Sequence, residues 1–261
     1  MIDFLNTLKF RDGPLFYFGL IWLLSAILLL CATRLSKVQV NSTNAWYKPF
    51  KFAVSIGVFS WTMGWYTWYL HLPGQIGYYN WATILLLGFE LFYITLQAAR
   101  GQLSHYNVSS PVYGALTVMM ALAAVAATLY TGYIGLLFVT TAIPVLPDYY
   151  LWSIRLGIFF FVVFAFEGAV MGANGSHTIG APDSGDGLPL LNWSRKYGDP
   201  RIAHFVGMHA LQVLPLLAFY LLKDIKFVLF FGFIYGLVAL ILLRQALNGK
   251  PLIRLKGDEA N

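Results

Sequence analysis

Five residues of one apolar stretch carry side chains that can move protons, bind a metal or hold an anion. They are Arg201, His204, Met208, His209 and Gln212, within RIAHFVGMHALQVLPLL at 201–217. On a helix turning 100° per residue they fall within an arc of about 140°, and Ala203, Val206, Ala210, Val213 and Leu217 cover most of the rest. A membrane helix turns such an arc towards protein or water, because lipid cannot satisfy it. The arc therefore predicts that this helix lines a functional site. A second stripe, Glu90, Tyr93, Gln97, Arg100 and Ser104, lies within about 80° if its helix continues to Ser104. Glu90 sits deep in an apolar run, where a carboxylate is costly unless protonated, paired or hydrated. Glu167 is a second acid at membrane depth. Its neighbour Arg155 is about 18 Å away along the helix, too far to pair with it, and Asn174 follows on nearly the same face.

Imidazoles and carboxylates form the ligand set of zinc and non-haem iron, and they equally suit a proton relay. His105, His177, His204 and His209 are the candidate metal ligands. Glu90 and Glu167 are candidate proton carriers, Arg100 and Arg201 candidate anion clamps. Gln97, Met208, Gln212 and Asn174 would line a cofactor pocket holding a metal ion or haem. His204 and His209 are five residues apart, about 140° around a helix, whereas ligands sharing a helix are usually three or four apart. One of them joined by His105 or His177 is the easier metal site.

The elements that must position these groups are membrane helices. Of 261 residues, 59% are hydrophobic and 11% charged, and the mean hydropathy is +0.67. The apolar residues fall into runs of about 20, enough to cross hydrocarbon. Seven spans are predicted: Pro14–Thr33, Phe52–His71, Trp81–Arg100, Pro111–Tyr130, Tyr150–Ala173, Ile202–Leu222 and Phe227–Leu243. The expectation is an all-α integral membrane protein, one seven-transmembrane helix bundle of residues 1–261. A short re-entrant or interfacial segment is expected at about 132–147, where Pro144 and Pro147 interrupt an apolar stretch. Residues 174–200 read as a polar lid loop, whose Leu188, Leu190, Leu191 and Trp193 fold it back over the bundle. Its Asp183 and Asp186 sit in glycine-rich sequence without the spacing of a phosphate-binding loop. Gly168 and Gly172, like Gly232 and Gly236, admit close helix approach.

The net charge of +6 does not point to nucleic acid, because the cations cluster at span ends as topology signals. With seven spans, Arg34, Lys37, Lys48, Lys51, Arg100, Arg195, Lys196, Arg201, Arg244, Lys250, Arg254 and Lys256 share one face, against Lys9, Arg11, Lys223 and Lys226 on the other. This places the N-terminus outside and the C-terminus in the cytoplasm. By the same parity His105, His177 and His204 share a face. The first span follows Lys9 and Arg11 but is too long for a signal-peptide core and lacks a small-x-small cleavage site, so it reads as an anchor. Lys48 and Lys51 beside Trp46, Tyr47 and Phe50 read as headgroup anchors, and Tyr66, Trp68 and Tyr69 as an interfacial belt. Cys31 is a lone packed residue. The partners implied are the lipid bilayer and a lipid-phase small molecule, and the sequence leaves self-association open.

The motifs QAARGQLSHYN at 97–107 and GDPRIAHFVGMHALQVLPLL at 198–217 resemble those of a family of bacterial multi-pass inner-membrane proteins, over most of the chain. The resemblance implies a bacterial inner-membrane protein and no particular chemistry. Seven spans with histidines near one face also resemble the adiponectin-receptor and alkaline-ceramidase metal hydrolases. Those carry HxxxH in the last helix, whereas HFVGMH at 204–209 is one residue longer and lies in the sixth span. The leading expectation is a cytoplasm-facing His/Glu/Arg site that binds a metal or cofactor and acts on a lipid-phase substrate. A proton-coupled transporter or channel using Glu90 and Glu167 is the second reading, although no inverted repeat is detectable. A structural subunit, whose polar groups only join helices, is the third.

Overall fold

The computed structural model describes residues 2–41, 43–181, 187–188 and 191–253, and these are mostly helical, with almost no sheet. The helices are α1 (Ile2–Arg11), α2 (Gly13–Leu35), α3 (Tyr47–Thr67), α4 (Pro73–Ala99), α5 (Pro111–Thr140), α6 (Asp148–Asn174), α7 (Arg201–Leu217) and α8 (Ile225–Leu247). A two-residue hairpin, β1 (Gln39–Val40) and β2 (Thr43–Asn44), joins α2 to α3. Among the described residues six helices are long and apolar enough to cross a membrane: α2, α4, α5, α6, α7 with its extension to Leu222, and α8. The second expected span is also a helix, α3, but it does not reach that hydropathy. Ten of its 21 residues are buried, against α1, α2 and α4, and a helix enclosed by protein need not be as apolar as one that meets lipid.

Three local expectations change. The segment at 132–147 is not a re-entrant piece. α5 runs unbroken through Gly132 to Thr140, 30 residues and about 45 Å long, so only 141–147 connects it to α6. The prolines lie beyond the helix and do not interrupt it. Secondly, α4 stops at Ala99, with Arg100 as its C-cap and Gly101 in the left-handed region at φ +65°, so Ser104 leaves the α4 stripe. Thirdly, Trp46 and Phe50 do not reach out as headgroup anchors but pack on the core of Ala26, Leu29, Ala53, Ile56 and Leu91. Asp183, Asp186, Leu190, Arg254 and Lys256 lie outside the described residues.

The chain divides into two compact units, Met1–Val145 and Leu146–Asn261. In the first, α2 and α3 meet through glycine. A Cβ at Gly19 would strike the Trp61 indole, and one at Gly57 would stand 2.6 Å from Leu23 Cγ. The short α1 is anchored through rings, with Phe4 stacked on Trp65 at 5.2 Å. The Arg11 guanidinium lies 3.8 Å from the Trp65 ring centroid and 4.7 Å from that of Tyr69. At the other end of α2 the Asn44 amide donates to the carbonyls of Thr33 and Ser36, at 3.0 and 2.9 Å, satisfying acceptors that a helix end leaves bare.

In the second unit α6 packs on both α7 and α8. The Gly232–Gly236 step works as expected, its two positions facing Leu156 and Phe160. Gly172 meets nothing, and the close approach of α6 to α7 uses Gly157, Gly168 and Gly207 instead. A Cβ at Gly207 would enter the Phe164 ring, and one at Gly157 would stand 3.1 Å from the Ala210 carbonyl oxygen and Leu211 Cα. Pro215 lies inside α7, which widens after it into a π turn over Ala218–Leu222. Tyr235 of α8 donates a 2.5 Å hydrogen bond to the Val206 carbonyl.

Candidate functional site

Two of the residues singled out by type come together on facing helices of the second unit. Glu167 lies in the last two turns of α6 and is 7% exposed. His204 lies in the first turn of α7, and its Nδ1 stands 3.4 Å from Glu167 Oε2. Gly168 makes room for the ring, since a Cβ there would stand 3.3 Å from His204 Cε1. The separation is an ion-pair distance, yet the groups are not aligned for a hydrogen bond, and His204 Nδ1 and both Glu167 oxygens are buried without a hydrogen-bond partner. Three buried polar atoms meet at one point, and burial without a partner is costly. A proton held between carboxylate and imidazole, or a small donor placed there, removes that cost.

The other α7 residues have separate employments. His209 Nδ1 lies 3.2 Å from Gln212 Oε1, and its ring centroid is 4.2 Å from that of Phe205. The five-residue spacing therefore sends the two imidazoles to different neighbours. Met208 packs against the core of Phe164, Ala203 and Ala239. Arg201 is not turned into the arc. Its Nε donates to Asp199 Oδ1 at 2.8 Å, its Nη2 to Asp199 Oδ2 and to the Asn192 carbonyl, both at 2.6 Å.

Those bonds hold the loop after α6. Asp199 is buried and also accepts from the Ser194 and Arg201 backbone N–H groups, at 2.8 and 3.1 Å. Trp193 packs edge-on to Phe205 with centroids 5.6 Å apart, and Ile179 pairs with Gly198. The described part of the loop thus meets α7 through Trp193 and the Asp199–Arg201 contact. Asn174 turns its amide to the Thr178 carbonyl at 3.0 Å and to Ser176, shaping the start of the loop. His177 is half-buried within it.

In the first unit Glu90, Tyr93 and Gln97 lie buried on successive turns of α4. Glu90 Oε1, the Tyr93 hydroxyl and Gln97 Oε1 have no hydrogen-bond partner. Lys48, at the start of α3, is the cation whose field reaches Glu90. Gln97 Nε2 donates to the Leu103 carbonyl at 3.2 Å, Arg100 is exposed, and His105 Nδ1 lies 3.2 Å from Ser104 Oγ. Among the described residues no three His, Cys, Asp or Glu side chains gather as a metal site.

One polar cluster escaped the sequence reading. Asp12 caps α2, accepting from Leu15 N–H at 3.0 Å, and takes both bonds of the Asn80 amide nitrogen, at 2.9 and 2.8 Å. The neighbouring Tyr79 hydroxyl lies 3.4 Å from Thr131 Oγ1. An Asp before Gly-Pro is a helix-start signal, which identifies the cap. Nothing in the sequence pairs it with a residue 68 positions on.

No protein-family profile matches the chain, and no curated protein and no solved structure is significantly similar to it.

Proposed function

We propose that the chain is a seven-span protein of the bacterial cytoplasmic membrane, with α3 as the seventh span, in which Glu167 and His204 form an acid–base pair that moves protons. The observation carrying this reading is the 3.4 Å approach of two titratable groups whose facing atoms are buried and otherwise unpartnered. Intramembrane ionisable residues are functional candidates by default. Proton traffic is favoured over a metal centre by the donor arrangement, since His204 and His209 face different partners. Glu90 Oε1, the Tyr93 hydroxyl and Gln97 Oε1, buried along α4 without hydrogen-bond partners, give the first unit a polar line of the same character. The N-terminus outside and the C-terminus inside remain the orientation that the cation distribution supports.

A second reading keeps the pair and changes its substrate, making the protein an enzyme that acts on a molecule from the lipid phase. It is favoured by the cluster of Trp193, Phe205 and His209, edge-on and tilted to one another, a surface suited to an apolar group.

Purified protein in proteoliposomes carrying an internal pH dye separates these readings. Under an imposed membrane potential the protein is expected to pass protons faster than empty vesicles, and Glu167→Gln to lower that flux at least tenfold. Glu90→Gln is expected to lower it also, whereas a purely structural Glu90 would leave it unchanged. Wild-type flux equal to empty vesicles rejects proton movement and leaves the enzymatic reading.

A further inference from the structure

The α1–α2 turn brings a carboxyl group into a place where charge is poorly supported. Asp12 and Asn80 are each 5% exposed. The groups bonded to the Asp12 carboxyl are the Leu15 N–H and the Asn80 amide, neither of them charged. The cations of α1 are turned elsewhere, Arg11 onto Trp65 and Tyr69 and Lys9 onto the Tyr17 ring. α4 adds one titratable group, Tyr79, which is fully buried and packs edge-on to Tyr130 of α5. α3 presents Thr67 and, at Gly64, a backbone whose Cβ would stand 3.2 Å from Asp12 Cβ.

The Asn80 amide shows what this site lacks. Its nitrogen is forked across both Asp12 oxygens, while its own Oδ1 is buried with no partner. A buried acceptor left without a donor is costly, and a turn of the amide would bring Oδ1 to the Asp12 carboxyl. Adding one proton to Asp12 supplies that donor. The acid O–H then donates to Asn80 Oδ1, and Asn80 Nδ2 donates to the other Asp12 oxygen. The forked contact becomes a cyclic acid–amide pair with the orphan acceptor satisfied, and the Leu15 cap bond persists.

We propose that Asp12 and Asn80 form a buried proton-binding site, a pH-responsive clasp between the start of α2 and the first turns of α4. The proton comes from water at the membrane face that carries the α1–α2 turn. Burial favours the same outcome, because it pushes the Asp12 carboxyl above its ordinary 3.8. A group raised in the folded state adds stability that is present at low pH and lost as pH rises through its folded-state value. Thermal stability of the wild type should therefore fall as pH rises across that window. Asp12→Asn keeps a good capping side chain and should flatten the slope.

Infrared difference spectroscopy on the full chain in lipid vesicles tests the site. The wild type is expected to gain a buried carboxylic C=O band on acidification, and Asp12→Asn to lose the Asp12 share of it. No such band in the wild type at any pH above the ordinary carboxyl range overturns the proposal. So does an Asp12→Asn protein whose buried-carboxyl signal equals that of the wild type, since Glu90 and Glu167 are buried in both and contribute equally to each. If Asp12→Asn does not fold, Asn80→Ala decides the matter. Loss of the amide donor should move the band to higher frequency, and an unmoved band overturns the proposal.

Discussion

Replacement of Gly207 by leucine is expected to prevent α6 and α7 from closing. The first atom of any side chain at 207 enters the Phe164 ring, and Phe164 is itself buried in the core shared with Ala203 and Ala239. Phe164 has no free volume to retreat into, so the helices must separate or Phe164 must leave its rotamer. Overpacking of this kind costs about 3 kcal/mol or more. Alanine is the sharper control. In a helix interior Gly→Ala ordinarily stabilises by about 1 kcal/mol, whereas here Gly207→Ala should lower the unfolding temperature. A stabilised Gly207→Ala protein would show that the two helices are not in close contact. Because Glu167 and His204 meet across the same interface, both substitutions should also weaken the proton flux.

The second large effect is expected at Asp199. Asp199→Ala strips the Arg201 guanidinium of two hydrogen bonds and leaves the Ser194 N–H without its acceptor. Asp199 is buried while the Arg201 side chain is 25% exposed, so water relieves part of the loss. A cost of about 2–3 kcal/mol is expected, below the full penalty for breaking an enclosed pair. The damage should be local. Amide exchange should rise from Ile179 to Arg201 while the rest of α7 stays protected, and the Trp193 fluorescence should shift towards that of a hydrated indole. Asp199→Asn, which keeps one acceptor, should fall between the two. Unchanged exchange in Asp199→Ala would show that the loop is held by its apolar contacts alone.

Helix positions were readable because length and hydropathy report directly on what can cross hydrocarbon. α2, α6, α7 and α8 appear within a few residues of expectation, whereas α4 starts at Pro73, eight residues before the expected Trp81. α5 ran longer, because proline marks where a helix cannot continue and says nothing about glycine positions before it. α3 shows the opposite limit. Its hydropathy is lowered by Lys48, Lys51 and its small polar residues, and enclosure by neighbouring helices compensates in a way that no single-segment property records. On α4, Glu90, Tyr93 and Gln97 are buried together as the helical period groups them, whereas Arg100 is exposed and Ser104 lies past the helix end. Periodicity could not foresee that Arg201 would be consumed by Asp199, or that His204 would turn to Glu167 while His209 turned to Gln212. Partners on other segments decide those choices. The Asp12–Asn80 contact was invisible for the same reason, although the cap itself was written in the sequence.

A double-variant cycle on Glu167 and His204 tests the pair most directly. Proton flux in proteoliposomes would be measured for wild type, Glu167→Gln, His204→Asn and the protein carrying both. Residues that act as one unit are strongly non-additive, so the double variant is expected to be no slower than the worse single one. A double variant whose loss equals the product of the two single losses would mean that the groups work independently, and would contradict the acid–base pair.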